Sequence, residues 1–461
     1  MSAEATDTDT TGDSARSKVQ RSNRLSFTQN LAVLFGFVLV ISSLLVGGSI
    51  GQALPFQQAV IAILFAGIFN GLIAVLIGVL AARTGYTSAL IYRYSFGRFG
   101  AILPNIIMAF TGVVWFAVIT NITVNAFVNM TGIGGGTATE IAITIVMGLI
   151  FVVPVYKSIK WISLIDYFAA PAIFIILIVT IYFALQEGGG VSGIISSSAG
   201  NSGMPLLVAF TVAAGGWIQG NVVISDFARF FKNGKQAAIG LFLTYTVMMV
   251  IQYVGAAMGA IATNEWNIFV MMSQFGLLSI TFLALFLGSW STSMGALYGS
   301  ANMMSAPPVP EYKNEEATRK AAVVALWVVA MGFAFTNAQQ IFNLLLQYLA
   351  WLIGPIAITV IIDYWMLPTK QRIYEGDITP NMNINPAAYL AWIIGFPAGF
   401  FTQQTFVSLI NGMVVAGIIY YAWMKFAISR NTTPENQLRE LLGQEPFKTE
   451  QPSTVPNGGE D

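Results

Sequence analysis

The segment Ser289-Trp290-Ser291-Thr292-Ser293 places four hydroxyls within five residues of an otherwise apolar stretch. Hydroxyl oxygens are neutral dipoles that hold a hard cation at close range, or exchange hydrogen bonds with a polar solute, without burying a formal charge. A single Ser or Thr in a membrane helix bonds back to the preceding turn, a need that four together exceed. Two further stretches set polar side chains in apolar surroundings: Thr111, Trp115, Thr120 and Asn121 in one, Trp217, Gln219 and Asn221 in the other. Trp115 and Trp217 lie too deep in their segments for a headgroup girdle. Packing between helices accounts for each of them as readily as a place in a functional site does.

What is absent narrows the chemistry further. The chain has 0 His and 0 Cys, which removes disulfides, thiolate nucleophiles, imidazole acid-base catalysis and the commonest zinc ligands. An enzyme embedded in a membrane would lack its usual bases and nucleophiles. The acids avoid the middle of every apolar run: Asp166, Asp226 and Asp363 fall at cytoplasmic ends, and Glu140, Glu187 and Glu265 in outer loops or at run ends. Proton-driven carriers keep a buried Asp, Glu or His as relay, and no such residue is expected here. Sodium needs only backbone carbonyls of an unwound helix and neutral hydroxyls, so sodium is the expected driving ion. A neutral or weakly polar substrate is expected for the same reason, since a charged one would want a buried partner.

The elements that must position these groups are membrane spans. Hydrophobic residues make up 56% of the chain and charged residues 9%, against roughly 25% charged in a soluble domain. Runs of about 20 apolar residues, enough to cross a bilayer, lie at 30–54, 56–82, 101–129, 140–156, 161–186, 205–226, 236–262, 268–300, 321–337, 340–365, 386–403 and 405–428. The Lys and Arg that lie between the first and last runs all fall in alternate gaps, from Arg83, Arg93 and Arg98 to Lys370 and Arg372, and the rest of the 21 lie at the two ends of the chain, from Arg16 to Arg24 and from Lys425 to Lys448. Basic short loops stay cytoplasmic, so twelve spans with both termini inside are expected, in a multi-pass protein of the cytoplasmic membrane surrounded by lipid. The formal net charge of zero gives no reason to invoke nucleic acid.

Spans one and six are five apart, and an odd offset inverts the second set relative to the first, the arithmetic of an inverted repeat. Both carry a glycine pair, Gly47-Gly48 and Gly215-Gly216, which marks them as candidate broken helices. The expected organisation is a disordered cytoplasmic tail at 1–26, five-helix repeats at 27–186 and 205–365, two additional helices at 386–428 and a second tail at 429–461. The stretch after Arg83, with Tyr86, Leu90 and Tyr94 at helical spacing, suits a short helix on the membrane surface. Trp266 to Gln274 is its candidate counterpart outside.

Several motifs occur together in order: Arg83-Thr84-Gly85-Tyr86 with Tyr94-Ser95-Phe96-Gly97, Trp115-Phe116, Ser225-Asp226-Phe227-Ala228-Arg229-Phe230, Trp290-Ser291-Thr292 with Ala296-Leu297-Tyr298, and Ile362-Asp363-Tyr364-Trp365 with Tyr374. Over residues 30 to about 430 this pattern resembles the nucleobase-cation symporter family, nearest its cytosine and purine permease branch. The resemblance implies an all-α leucine-transporter-type fold of two inverted five-helix repeats plus two C-terminal helices. It also implies a planar heterocycle held between Trp115 and Trp217, and a sodium ion held by carbonyls at Gly36 and Val40, the position of Gly288, and the hydroxyls of Ser291 and Thr292. Thr111, Gly216, Gln219 and Ser293 complete the implied substrate set. The chain departs from the cytosine permeases at Gly112, Gly288 and Ser293, where those carry amides, and at Gly216 and Gln219, where those carry small hydroxyls. The hydrogen-bonding set is therefore rearranged, and Trp217 is similar to the hydantoin-carrying relatives.

The expected function is import of a nucleobase or related nitrogen heterocycle by sodium symport through alternating access, in a monomer. The alternatives are an allantoin-, hydantoin- or vitamin-type carrier, proton coupling, and a passive facilitator.

Overall fold

A run of apolar residues that must satisfy its own amides in lipid has little choice but to coil, and the chain does so throughout. A computed structural model describes residues 18–133, 136–157, 159–197, 203–305, 315–335, 342–375, 382–403 and 407–429. Residues 1–17 and 430–461 of the expected tails lie outside the described residues. Among the described residues there is no strand, and one isolated bridge joins Leu25 to Phe231.

The spans are a bent pair, Phe27–Val38 and Ile41–Ala53, then Phe56–Thr84, Ile102–Thr131, Thr137–Lys157, Ile159–Glu187, Leu206–Val222, Gly234–Thr263, Leu278–Ser305, Glu315–Ala334, Phe342–Trp365, Pro386–Phe401 and Ser408–Ser429. They are numbered one to twelve below. Local signals set the ends. Ser26 and Gln29 form a reciprocal capping box at the start of span one, and Gly85, at φ 81°, closes span two in the left-handed conformation. Gly276, at φ 70°, splits the expected eighth run into a short outer helix, Ile268–Gln274, and span eight proper. Large side chains such as Phe65, Leu72, Ile280 and Leu283 remain exposed on the flanks, the face a membrane protein turns to lipid.

Packing follows the inverted repeat. The outer half of span one lies along Met249–Thr263 of span seven, and span six lies along span two. An offset of five spans exchanges these two pairs, and it maps the contact of spans three and eight onto itself.

The structure corrects the reading of the glycine pairs. Span one is broken, with a bend of 53°, but at Leu39-Val40 and not at Gly47-Gly48. Span six runs straight through Gly215-Gly216 to Val222, and only Val223-Ile224 separate it from the short helix Ser225–Ala228. These glycines serve close approach: a Cβ on Gly47 would lie 2.5 Å from the Tyr253 carbonyl, and Cβ atoms on Gly48, Gly51 and Gly215 would overlap the carbonyls of Trp266, Ala257 and Leu346. Gly47 and Gly51, four apart, form the small-residue seam that lets two backbones touch.

The connector helix Ser88–Phe96 is also placed differently. It is buried under the bundle, where Ser88, Tyr92, Tyr94, Ser95 and Phe96 are almost fully covered, and does not lie on a membrane surface. Its polar groups pull it in, because they meet partners there. Asp363 of span ten, with 0% exposure, accepts from Tyr420 at 2.5 Å, Tyr374 at 2.9 Å and Ser95 at 3.3 Å. Lys370 stands 3.5 Å from it and donates to the Tyr94 carbonyl at 2.7 Å. Burial, reinforced by the Asp363 carboxylate, pushes the Tyr374 phenol well above its ordinary value, which keeps it a donor.

Residues 18–26, expected within the tail, run across the same basic end of the bundle. The Val19 amide donates to the Gly85 carbonyl at 2.9 Å, the Leu25 amide to Phe230 at 2.9 Å, and the Arg24 guanidinium to Phe231 at 3.0 Å and to Ala82.

Candidate functional site

The break in span one is a change of hydrogen-bond partners. The Val40 amide, which would close onto the Gly36 carbonyl in a continuous helix, turns to Val38 at 2.8 Å. The Ile41 amide, which would close onto Phe37, donates instead to Thr292 Oγ1 of span eight at 3.3 Å. Val40 is extended, at φ −131° and ψ 154°, and its carbonyl accepts the Ser43 amide at 3.2 Å. Carbonyls of Gly36 and Phe37 are thereby released from their helical donors where a span-eight hydroxyl reaches span one. Thr292 Oγ1 donates back to Gly288 at 2.8 Å. Ser291 Oγ donates to the Asp166 carboxylate of span five at 2.7 Å.

Among the described residues no three His, Cys, Asp or Glu converge as a metal cluster. The junction is built instead from backbone and hydroxyl oxygens, with one carboxylate beside it, a donor set suited to a hard monovalent cation. Asp166 was expected at a cytoplasmic span end, and no acid was expected to be buried within a span; Asp363 is fully buried, and Asp166 is partly buried and hydrogen-bonded to the hydroxyl run, because span five leans that face onto span eight, where a Cβ on Gly288 would overlap the Ile173 side chain.

The aromatic residues sit on the neighbouring spans. Trp217 is 7% exposed; its Nε1 donates to Ser43 Oγ at 3.0 Å, and its ring meets Phe37 edge-on at 5.4 Å and Tyr245 at 5.6 Å. Trp115, 6% exposed, meets Phe342 edge-on at 6.1 Å, and Phe342 stacks on Trp266 at 4.8 Å. No ring contact joins Trp115 to Trp217, so neither indole face is consumed by the other. Gln219 Nε2 crosses to the Met108 carbonyl of span three at 3.1 Å. Gly216 leaves room that a Cβ would take from the Tyr253 hydroxyl, 2.6 Å away. Thr111 turns to its own helix, donating to Ile107 at 2.8 Å. Ser293 and Ser289 are fully buried and their hydroxyls have no partner, which leaves hydrogen-bonding capacity for a guest.

Ser43 and Asn221 are visible in the sequence as polar residues in apolar runs, without their partners; Phe37 and Tyr245 carry no signal, since an aromatic in a membrane helix is unremarkable. Asn221 donates to Asn70 Oδ1 at 2.6 Å, tying span six to span two. Ser43→Ala is expected to strand the buried Trp217 N–H at a cost of about 1–3 kcal/mol. A thermal melt checks it, with Ser43→Thr retaining the acceptor.

Residues 18–424 match the family described as permeases for cytosine/purines, uracil, thiamine and allantoin. The cytosine permease of Escherichia coli strain K12 is 28% identical over 411 residues, covering 87% of this chain and 91% of that protein. The hydantoin permease of Microbacterium maritypicum is 23% identical over 424 residues, covering 86% and 85%. The inward-facing conformation of Mhp1 superposes with a TM-score of 0.77 at 18% identity, over 94% of this chain and 98% of that one. The fold is thus the leucine-transporter type, two inverted five-helix repeats followed by two further helices.

Proposed function

Because the chain belongs to the family of permeases for cytosine/purines, uracil, thiamine and allantoin, we propose that it imports a nucleobase or closely related nitrogen heterocycle across the cytoplasmic membrane by sodium symport. The observation that carries this reading is the break at Leu39-Val40 bridged by Thr292, since one interaction joins the helix that must reshape to the helix that offers hydroxyls. The carbonyls of Gly36 and Val40, the Gly288 turn and the hydroxyls of Ser291 and Thr292 would hold the ion there. Bound sodium supplies a positive charge that fixes the two halves of span one against span eight.

Trp115 and Trp217, on spans three and six, offer two indole faces for a flat, neutral base. In this reading Gly216 and Gln219 of span six, with Thr111 and Ser293, would border the same space, and Ser293, whose buried hydroxyl has no partner, would meet an exocyclic group or ring nitrogen. Alternating access then consists of a bundle rocking against a scaffold. The basic loops mark the cytoplasmic side, so both termini lie inside. The cytosine and hydantoin permeases among the relatives are consistent with two substrate types; Trp217 favours the hydantoin type and the higher identity the base.

A thermal-shift panel of cytosine, uracil, hypoxanthine, allantoin and hydantoin, each with sodium and with choline, tests the reading, followed by uptake into proteoliposomes. Stabilisation by at least one ring, larger in sodium, is expected. If no ring shifts the melt or competes for uptake, the substrate class is wrong; uptake indifferent to sodium and collapsed by a protonophore overturns the ion. Trp115→Ala is expected to weaken binding by about 5- to 150-fold, the equivalent of the roughly 1–3 kcal/mol that a stacked base contributes, read well below the variant's own melt because removing an indole that is 6% exposed also loosens packing.

A further inference from the structure

A serine hydroxyl has one proton to give and two lone pairs to offer, and Ser291 has committed its proton. It donates to Asp166 at 2.7 Å, so its lone pairs are turned outward from the carboxylate. Asp166 lies two helical turns from Ile173 on span five, and Ile173 is the residue packed onto Gly288. One face of span five therefore runs along span eight from Gly288 to Ser291. Thr292, the next residue, accepts the Ile41 amide at the break. The sequence of contacts is carboxylate, hydroxyl, broken helix. Among the described residues no Lys or Arg pairs with Asp166, whereas Asp363, the other acid buried in a span, has Lys370 beside it. A carboxylate set into a membrane helix without a basic partner is costly unless a cation comes to it.

We propose that Asp166 is the charged positioning residue of the cation site: it accepts the Ser291 hydrogen bond, so aiming the hydroxyl lone pairs at the sodium ion, and supplies the negative charge that offsets the ion through that hydroxyl. Groups that orient a ligand oxygen tune affinity by about 10- to 100-fold when removed. The proposal rests on the sodium reading above, and the two fail differently.

Purified full-length protein, without substrate, is titrated with sodium chloride against choline chloride at constant ionic strength, read by thermal shift and tryptophan fluorescence. Asp166→Asn keeps an oxygen that can accept from Ser291 and removes the charge. It is expected to raise the sodium half-saturation at least tenfold while substrate affinity at saturating sodium stays within about twofold of the parent. Ser291→Ala is expected to shift the sodium curve in the same direction, and the double variant by less than the product of the two single shifts, since both act on one oxygen. If the parent responds to sodium and Asp166→Asn traces the same curve, the carboxylate is a structural hydrogen-bond acceptor and the proposal is overturned while sodium coupling stands. If the parent itself does not distinguish sodium from choline, the sodium reading fails first. Should Asp166→Asn not yield monodisperse protein, an unshifted curve for Ser291→Ala overturns the proposal.

Discussion

Asp363→Ala is expected to loosen the basic end of the bundle at a cost of about 3–5 kcal/mol, the range for breaking a buried ion pair from one side. Three helical segments outside span ten depend on that carboxylate: the connector through Ser95, the helix after span ten through Tyr374 and Lys370, and span twelve through Tyr420. Removing it leaves the Tyr420 hydroxyl without its acceptor and strands Lys370, 9% exposed, with only the Tyr94 carbonyl. Asn385, which donates to the Ser95 carbonyl at 2.7 Å and to the Tyr420 hydroxyl at 3.3 Å, loses the geometry of both partners. The measurement is the fraction remaining monodisperse in detergent after a heating series. Asp363→Ala with Lys370→Met is expected to recover part of the loss, because deleting both charges removes the uncompensated one. A double variant no better than Asp363→Ala alone would show that hydrogen bonds to the tyrosines, and not the stranded ammonium, carry the effect.

The spans were legible because each is long and bounded by basic loops or turn residues, signals that act locally and over many residues at once. Observed span three, Ile102–Thr131, differs from the expected 101–129 by one residue at its start and two at its end. What the chain does between spans was less legible. A buried connector and a surface helix show the same spacing of Tyr86, Leu90 and Tyr94, and only the distant Asp363 and Tyr374 distinguish them. Asp166 shows the same limit: read along the chain it ends a span, and only the lean of span five onto Gly288 brings it to Ser291. The site residues lie on spans the sequence delimits well, yet their partners do not follow from it. Trp217 finds Ser43 across 174 positions, a contact that no periodicity encodes. The break in span one had a mark in the sequence, a glycine pair, but the mark belonged to another cause.

That cause is testable at Gly47. Gly47→Val is expected to force spans one and seven apart, because the added atoms would meet the Tyr253 carbonyl oxygen at 2.5 Å and its Cα at 2.6 Å. Overpacking costs about 1–3 kcal/mol where side chains can yield, and more where they cannot; a helix backbone cannot rotate out of the way. The displacement also reaches the proposed site, since the Tyr253 hydroxyl donates to Ala213 at 3.5 Å and lies over Gly216, beside Trp217. Loss of thermal stability and loss of substrate affinity are therefore expected together, with Gly47→Ala intermediate. Gly295→Ala, where a Cβ meets nothing within 4 Å, is the control and should melt with the parent. The two roles of a helical glycine separate in this comparison: a hinge replaced by a larger residue keeps its packing and loses motion, so it would spare the melt and slow transport, whereas a seam loses its packing first. Equal melting of Gly47→Val and Gly295→Ala would return the pair to the role of a hinge and move the flexible point of span one outward from Leu39-Val40.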